Sequence, residues 1–191
     1  GIFSPLEATM SVVNDYNVKI DNIKSLNFRM KSFQIPFLVD YHGDKQRKYH
    51  PQTTTDAQLS LPFVIALALH KRGEIRISDF REENYQNPKI IALAQKVTAT
   101  ADSELDKTPS HPMELPTVLV LETYQGKKYT KRIDHHQGDA TNPLSDEDLI
   151  QKFVSNTEEK LEKYHIEQLI EMILNIDKLE NIGKVGTTDL I

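Results

Sequence analysis

The sequence predicts an α+β fold: an antiparallel sheet with packed helices, followed by a C-terminal helical segment. Three observations predict it. The segment Ile23 to Phe33 alternates, with Lys24, Leu26, Phe28, Met30 and Ser32 on one side and Ile23, Ser25, Asn27, Arg29 and Lys31 on the other, which is the period of a half-buried strand. Leu115 to Tyr124 and Lys127 to Ile133 flank Gln125-Gly126, a strand–turn–strand pattern in which glycine supplies the positive backbone angle. After Gly138 to Asn142 the composition shifts and only helical spacing remains.

Taken in order, Pro5 to Tyr16 reads as a helix, with Leu6, Met10 and Val13 on one face and Ser4 placed to cap it. Asp40 to Thr55 is charged and rich in turn residues, and reads as a long loop. Thr55 is placed to cap a helix opening at Asp56 and running to Gly73, where a left-handed stop is expected. Pro62 lies inside that stretch and kinks it unless the helix starts later. Asn87 and Pro88 open a further short helix, followed by a strand over Val97 to Ala101. Ser145 caps an acidic first turn (Asp146, Glu147, Asp148) that leads into Leu149, Phe153 and Leu161. A last helix over Ile166 to Leu179 carries Leu169, Ile170, Ile173, Leu174 and Ile176, an apolar face too broad to leave in water.

Composition limits the functions. The chain has 191 residues, 38% hydrophobic and 27% charged, with a net charge of −5. That is an ordinary globular balance, and it lacks the basic surface that nucleic-acid binding requires. With no cysteine in the sequence, disulfides, thiolate metal sites and a cysteine nucleophile are excluded. The longest apolar stretch, Leu59 to Leu69, falls short of the roughly 20 residues that span a bilayer, so no membrane is expected. The start lacks a basic segment followed by an apolar run, so a cytoplasmic protein is expected, and Gly1 in place of methionine reads as a cut site.

Two stretches carry a resemblance. The first runs from Tyr49 to Gly73 and holds Pro51, Thr53 or Thr54, Asp56-Ala57-Gln58, Ser60-Leu61-Pro62, Ala66, Ala68 and Gly73. The second holds Gly138, Asn142-Pro143-Leu144-Ser145, Glu147-Asp148-Leu149 and Lys152-Phe153. In residue type, order and spacing the two resemble the 2-methylcitrate dehydratase (MmgE/PrpD) family. The resemblance implies a lid domain over residues 1–137. It implies that residues 138–191 are helices returning to an N-terminal helical domain outside this chain. Family members dehydrate, decarboxylate or epimerise small di- and tricarboxylates, so such a carboxylate and the helical domain are the implied partners, in a homo-oligomer. No metal or other cofactor is implied. Most catalytic side chains of the family lie in the helical domain. The lid adds a lysine, which would precede Gly1, and a histidine, whose position falls near Phe3 or Ser4. Phe63 stands where the family commonly has tyrosine.

Within this chain the candidate substrate-binding residues are His50, Thr53, Thr54, Thr55, Gln58 and Phe63, from the family motif and from a loop feeding a helix N-terminus. Helix capping and core packing account for the same residue types. Lys45, Arg47 and Lys48, between His42 and His50, suit either carboxylate binding or a solvated loop. His135-His136 at a strand end point to opposite faces, which argues against a shared metal ion. Two functions remain: the lid of a carboxylate lyase or isomerase that is inactive alone, and a non-catalytic family member acting as a binding or regulatory protein.

Overall fold

A computed structural model describes residues 1–40, 43–108 and 115–183. The chain divides into two units, Gly1–Pro143 and Leu144–Ile191. The first opens with α1 (Phe3–Asp15), then β1 (Ile23–Met30), α2 (Ile35–Leu38), α3 (Lys45–Tyr49), α4 (Thr54–Gln58) and α5 (Leu61–His70). It continues through α6 (Glu82–Tyr85), α7 (Pro88–Ala94), β2 (Val97–Ala101), α8 (Ser103–Lys107), β3 (Thr117–Thr123) and β4 (Lys128–Ile133). The second holds α9 (Asp146–Thr157) and α10 (Lys163–Leu174).

The fold is α+β. Its sheet has the order β2-β1-β3-β4. β3 pairs antiparallel with β1 and with β4, as expected, whereas β2 lies parallel to β1, with Leu26 opposite Val97. The sheet is therefore mixed. Alternation along β2 could not reveal its direction, and the long connection from β1 through α2–α7 permits the parallel pairing.

Leu26, Phe28 and Met30 of β1 and Leu119 and Leu121 of β3 are fully buried and share a core with Ala8 and Val12 of α1 and Leu61, Ile65 and Leu69 of α5. The opposite face of the sheet is polar, as in the Asn27–Thr98 hydrogen bond at 3.0 Å and the Arg29–Asp102 pair. A one-faced sheet explains the clean alternation of β1. Two further differences concern α1 and β1. The α1 helix starts at Phe3, so Ser4 lies inside its first turn, buried, and does not cap it. The β1 strand stops at Met30, before Phe33.

The helix expected over Asp56–Gly73 is two helices. Thr53, not Thr55, caps α4 by accepting from the Asp56 amide at 3.1 Å. Ser60 caps α5, and Pro62 falls in its first turn, where the missing N–H costs nothing. Every residue from Leu61 to Leu69 is buried. The helix stops with Arg72 and Gly73 at positive φ, 56° and 93°. In the second unit Ser145 and Asp148 form a capping box, as the acidic turn predicts. The last helix ends at Leu174, short of Leu179.

Candidate functional site

The segment expected as a loop over Asp40–Thr55 contains α3 and the start of α4. Asp44 caps α3 by accepting from the Arg47 amide at 3.2 Å. Tyr49 ties this helix to the sheet, its hydroxyl donating to the Val97 carbonyl at 2.8 Å, and burial pushes the phenol pKa up. Ser60 Oγ donates to the Lys48 carbonyl and accepts from the Phe63 amide at 3.1 Å. Lys48 is buried, and its Nζ donates to the Leu59 carbonyl at 2.7 Å, satisfying an acceptor at the end of α4. Burial lowers the Lys48 pKa. The Arg47 Nε donates to Asp56 Oδ1 at 2.8 Å. Burial would raise the Asp56 pKa, but hydrogen bonds from Arg47 and Thr53 and the Arg47 charge hold it below the usual carboxylate value. Of the basic run, then, only Lys45 is exposed, while Arg47 and Lys48 are bound into the protein. His42 lies outside the described residues.

Arg47, Lys48, Thr53, Thr55, Asp56 and Leu59 line a cleft of about 170 Å³. Thr53 and Thr55 thus come together there, beside two cations and one ionised carboxylate. The other predicted residues lie elsewhere. His50 is half-buried, with Nε2 3.3 Å from Gln95 Nε2. Thr54 donates to the Phe80 carbonyl at 3.1 Å, and Gln58 is exposed. Phe63 is fully buried in a second core with Ala57, Ala66, Leu67, Ile90 and Ala94, its ring 6.5 Å from those of Phe80 and Tyr85. Asp56 Oδ2 is buried without a hydrogen-bond partner, leaving one acceptor in the cleft unsatisfied. The volume is below the roughly 300–1,000 Å³ of ligand pockets, so this cleft does not enclose a tricarboxylate by itself.

At the other end of the motif, Phe3 is exposed and its ring lies 5.2 Å from that of His136. Ser4 Oγ is buried without a partner. His136 Nδ1 is 3.0 Å from the Gln137 carbonyl, and Glu7 Oε2 accepts from the Gln137 amide at 2.6 Å. Among the described residues no group of three or more His, Cys, Asp or Glu side chains is arranged to hold a metal ion. Sequence reasoning missed Ser60 and Tyr49. A serine directly before Leu-Pro at the start of an apolar run is a cap signature and would have found the first, whereas nothing local marks Tyr49.

This α+β unit thus presents a one-faced sheet, a buried motif helix and a cleft at the turn that precedes it. The profile of the MmgE/PrpD C-terminal domain matches residues 1–178, and the chain belongs to that family. It is 29% identical over 176 residues to a cis-aconitate decarboxylase of Homo sapiens, covering 87% of this chain and 32% of that protein. It is 27% identical over 134 residues to the Mus musculus cis-aconitate decarboxylase, covering 69% and 26%, and 20% identical over 184 residues to one of Aspergillus terreus, covering 95% and 37%. The chain thus spans about a third of the length of these curated relatives. Among the described residues no helix is long and apolar enough to cross a membrane.

Proposed function

We propose that this chain is the lid and returning helices of a carboxylate lyase or isomerase, acting on a small di- or tricarboxylate by dehydration, decarboxylation or epimerisation. The observation that carries the reading is the family match over residues 1–178 to relatives named as cis-aconitate decarboxylases. Each of these reactions needs a positioned base beside a substrate carboxylate and cationic or hydrogen-bonding partners for the carboxylates. The cleft at Arg47, Lys48 and Thr53 contributes partners of the second kind. Arg47 stays protonated and is paired with Asp56, so its part is to hold a carboxylate rather than to transfer a proton. The acid–base groups come from the helical domain, onto which the helices of the second unit pack. The purified 191-residue chain is expected to show no turnover of cis-aconitate, citrate or 2-methylcitrate by NMR product analysis. Turnover by this chain, with contaminants excluded, overturns the lid reading.

One observation favours a second reading, that of a non-catalytic family member that binds and regulates. Phe3 and Ser4 stand where the family's histidine is expected, and Phe63, at the tyrosine position, is a core residue. Supplying a helical domain of the family in trans separates the two. Restored lyase or isomerase activity supports the lid, and binding of the carboxylate without turnover supports the alternative.

A further inference from the structure

A second cavity of the first unit, about 980 Å³, is separate from the cleft at α3 and α4. It lies where the C-terminal ends of α1 and α5 meet α7, with Val13, Leu69 and Leu93 among its apolar lining. Lys19, His70, Arg72, Lys89 and Lys96 line it too, against a single acid, Asp21. On a chain of net charge −5, this is a local reversal of sign.

Helix stability does not account for it. The dipole of α5 favours His70 and Arg72 at its C-terminal end. The same rule disfavours Lys89, which sits in the first turn of α7, at that helix's positive end. Arg72 occupies positive φ, where glycine or asparagine is the ordinary residue. Its neighbour Lys71 pairs with Asp79 at 2.7 Å, whereas Lys19, Arg72 and Lys89 have no carboxylate partner among the described residues. Lys96 is held in place, donating to the Ile23 carbonyl at 2.7 Å with its ammonium 5.2 Å from the centre of the Tyr124 ring. That leaves two of its three protons for another acceptor.

We infer that this groove binds a small molecule bearing an oxyanion, phosphate or carboxylate, on an apolar body. The volume is at the upper end of the roughly 300–1,000 Å³ typical of such sites. The exposed cations take the oxyanion and the apolar floor takes the body. This goes beyond the lyase reading and does not depend on it.

The test is titration calorimetry of the full chain with 1-naphthyl phosphate, 1-naphthoate, inorganic phosphate and 1-naphthol. Saturable binding of one or both naphthyl anions is expected, and which of the two binds tighter separates phosphate from carboxylate. Inorganic phosphate and uncharged naphthol should bind at least about tenfold more weakly, because each lacks half of the interaction. Arg72→Gly, which suits the positive φ and so keeps the fold, and Lys89→Gln, at an exposed site, should each weaken binding about two- to fivefold, the range of exposed ion pairs. Added salt should weaken it further. Lys107→Gln, on α8 and outside both clefts, should leave it unchanged. Absence of saturable binding, equal affinity for inorganic phosphate, or loss on Lys107→Gln with none on Arg72→Gly and Lys89→Gln overturns the inference.

Discussion

Ser60 caps α5, holds the Lys48 carbonyl and is fully buried, so its hydroxyl has no solvent to fall back on. Ser60→Ala is expected to cost about 1–3 kcal/mol by urea denaturation, the sum of a lost cap and a stranded carbonyl. Phe63→Ala empties a core site lined by alanines that cannot collapse inward, and should cost about 3–5 kcal/mol. Asp56 makes a pH prediction. Its folded pKa is depressed, so its pairing with Arg47 stabilises the protein above the ordinary value of 3.8 and is lost as pH falls through the lower folded value. Asp79, Asp102 and Asp134 shift the same way, so the readout is the difference between wild type and Asp56→Asn. That difference should shrink as the urea midpoint is followed from about pH 6 down to pH 2. A constant difference would remove Asp56 from the acid response. Capping residues were legible as a class and not always at the right position. Thr53, Thr54 and Thr55 are chemically alike, and only the turn geometry selects Thr53.

At the scale of elements, long periodic segments were readable and short polar ones were not. Leu61–Leu69, β1 and the β3–β4 hairpin followed from apolar spacing, because each buries a face that the sequence must keep apolar. The α3 helix (KQRKY) has no apolar period, and is held by Asp44 and Ser60 from outside it and by the reach of its own Tyr49 to the sheet. The cleft that these contacts build was hidden for the same reason: the apolar run left core packing open for Phe63, while nothing in the spacing separates Thr55, which lines the cleft, from Thr54, which does not. The end of α5 gives a prediction at this scale. Gly73 has φ of 93°, and an added Cβ would meet Met10 Cε at 3.1 Å. Gly73→Ala should therefore cost about 1 kcal/mol or more by thermal or urea denaturation. An unchanged midpoint would mean that this turn relaxes freely.

At the scale of the whole molecule, the second unit leaves apolar surface in water. Ile173, Leu174 and Ile176 are 43%, 53% and 44% exposed. With about half of each already covered, burying the rest is worth on the order of 1 kcal/mol apiece, which favours association in the absence of a helical domain. Light scattering should show mass rising with concentration, and Ile173→Lys with Leu174→Lys should hold the chain monomeric. A wild-type chain that stays monomeric throughout would remove the case for association. The strand order has a consequence in time. β1 is internal in the sheet but the first of its strands in the chain, and both of its partners are made later, β2 only after α2–α7 and β3 after α8 as well. Among the described strands only β3 and β4 can pair locally, within about 1–10 μs once the turn at Gln125-Gly126 exists. Closing β1 between distant partners pays the larger loop entropy and should set the folding rate. During synthesis, Leu26, Phe28 and Met30 emerge as a strand with both edges bare, which makes β1 the segment most in need of protection from aggregation before the chain is finished.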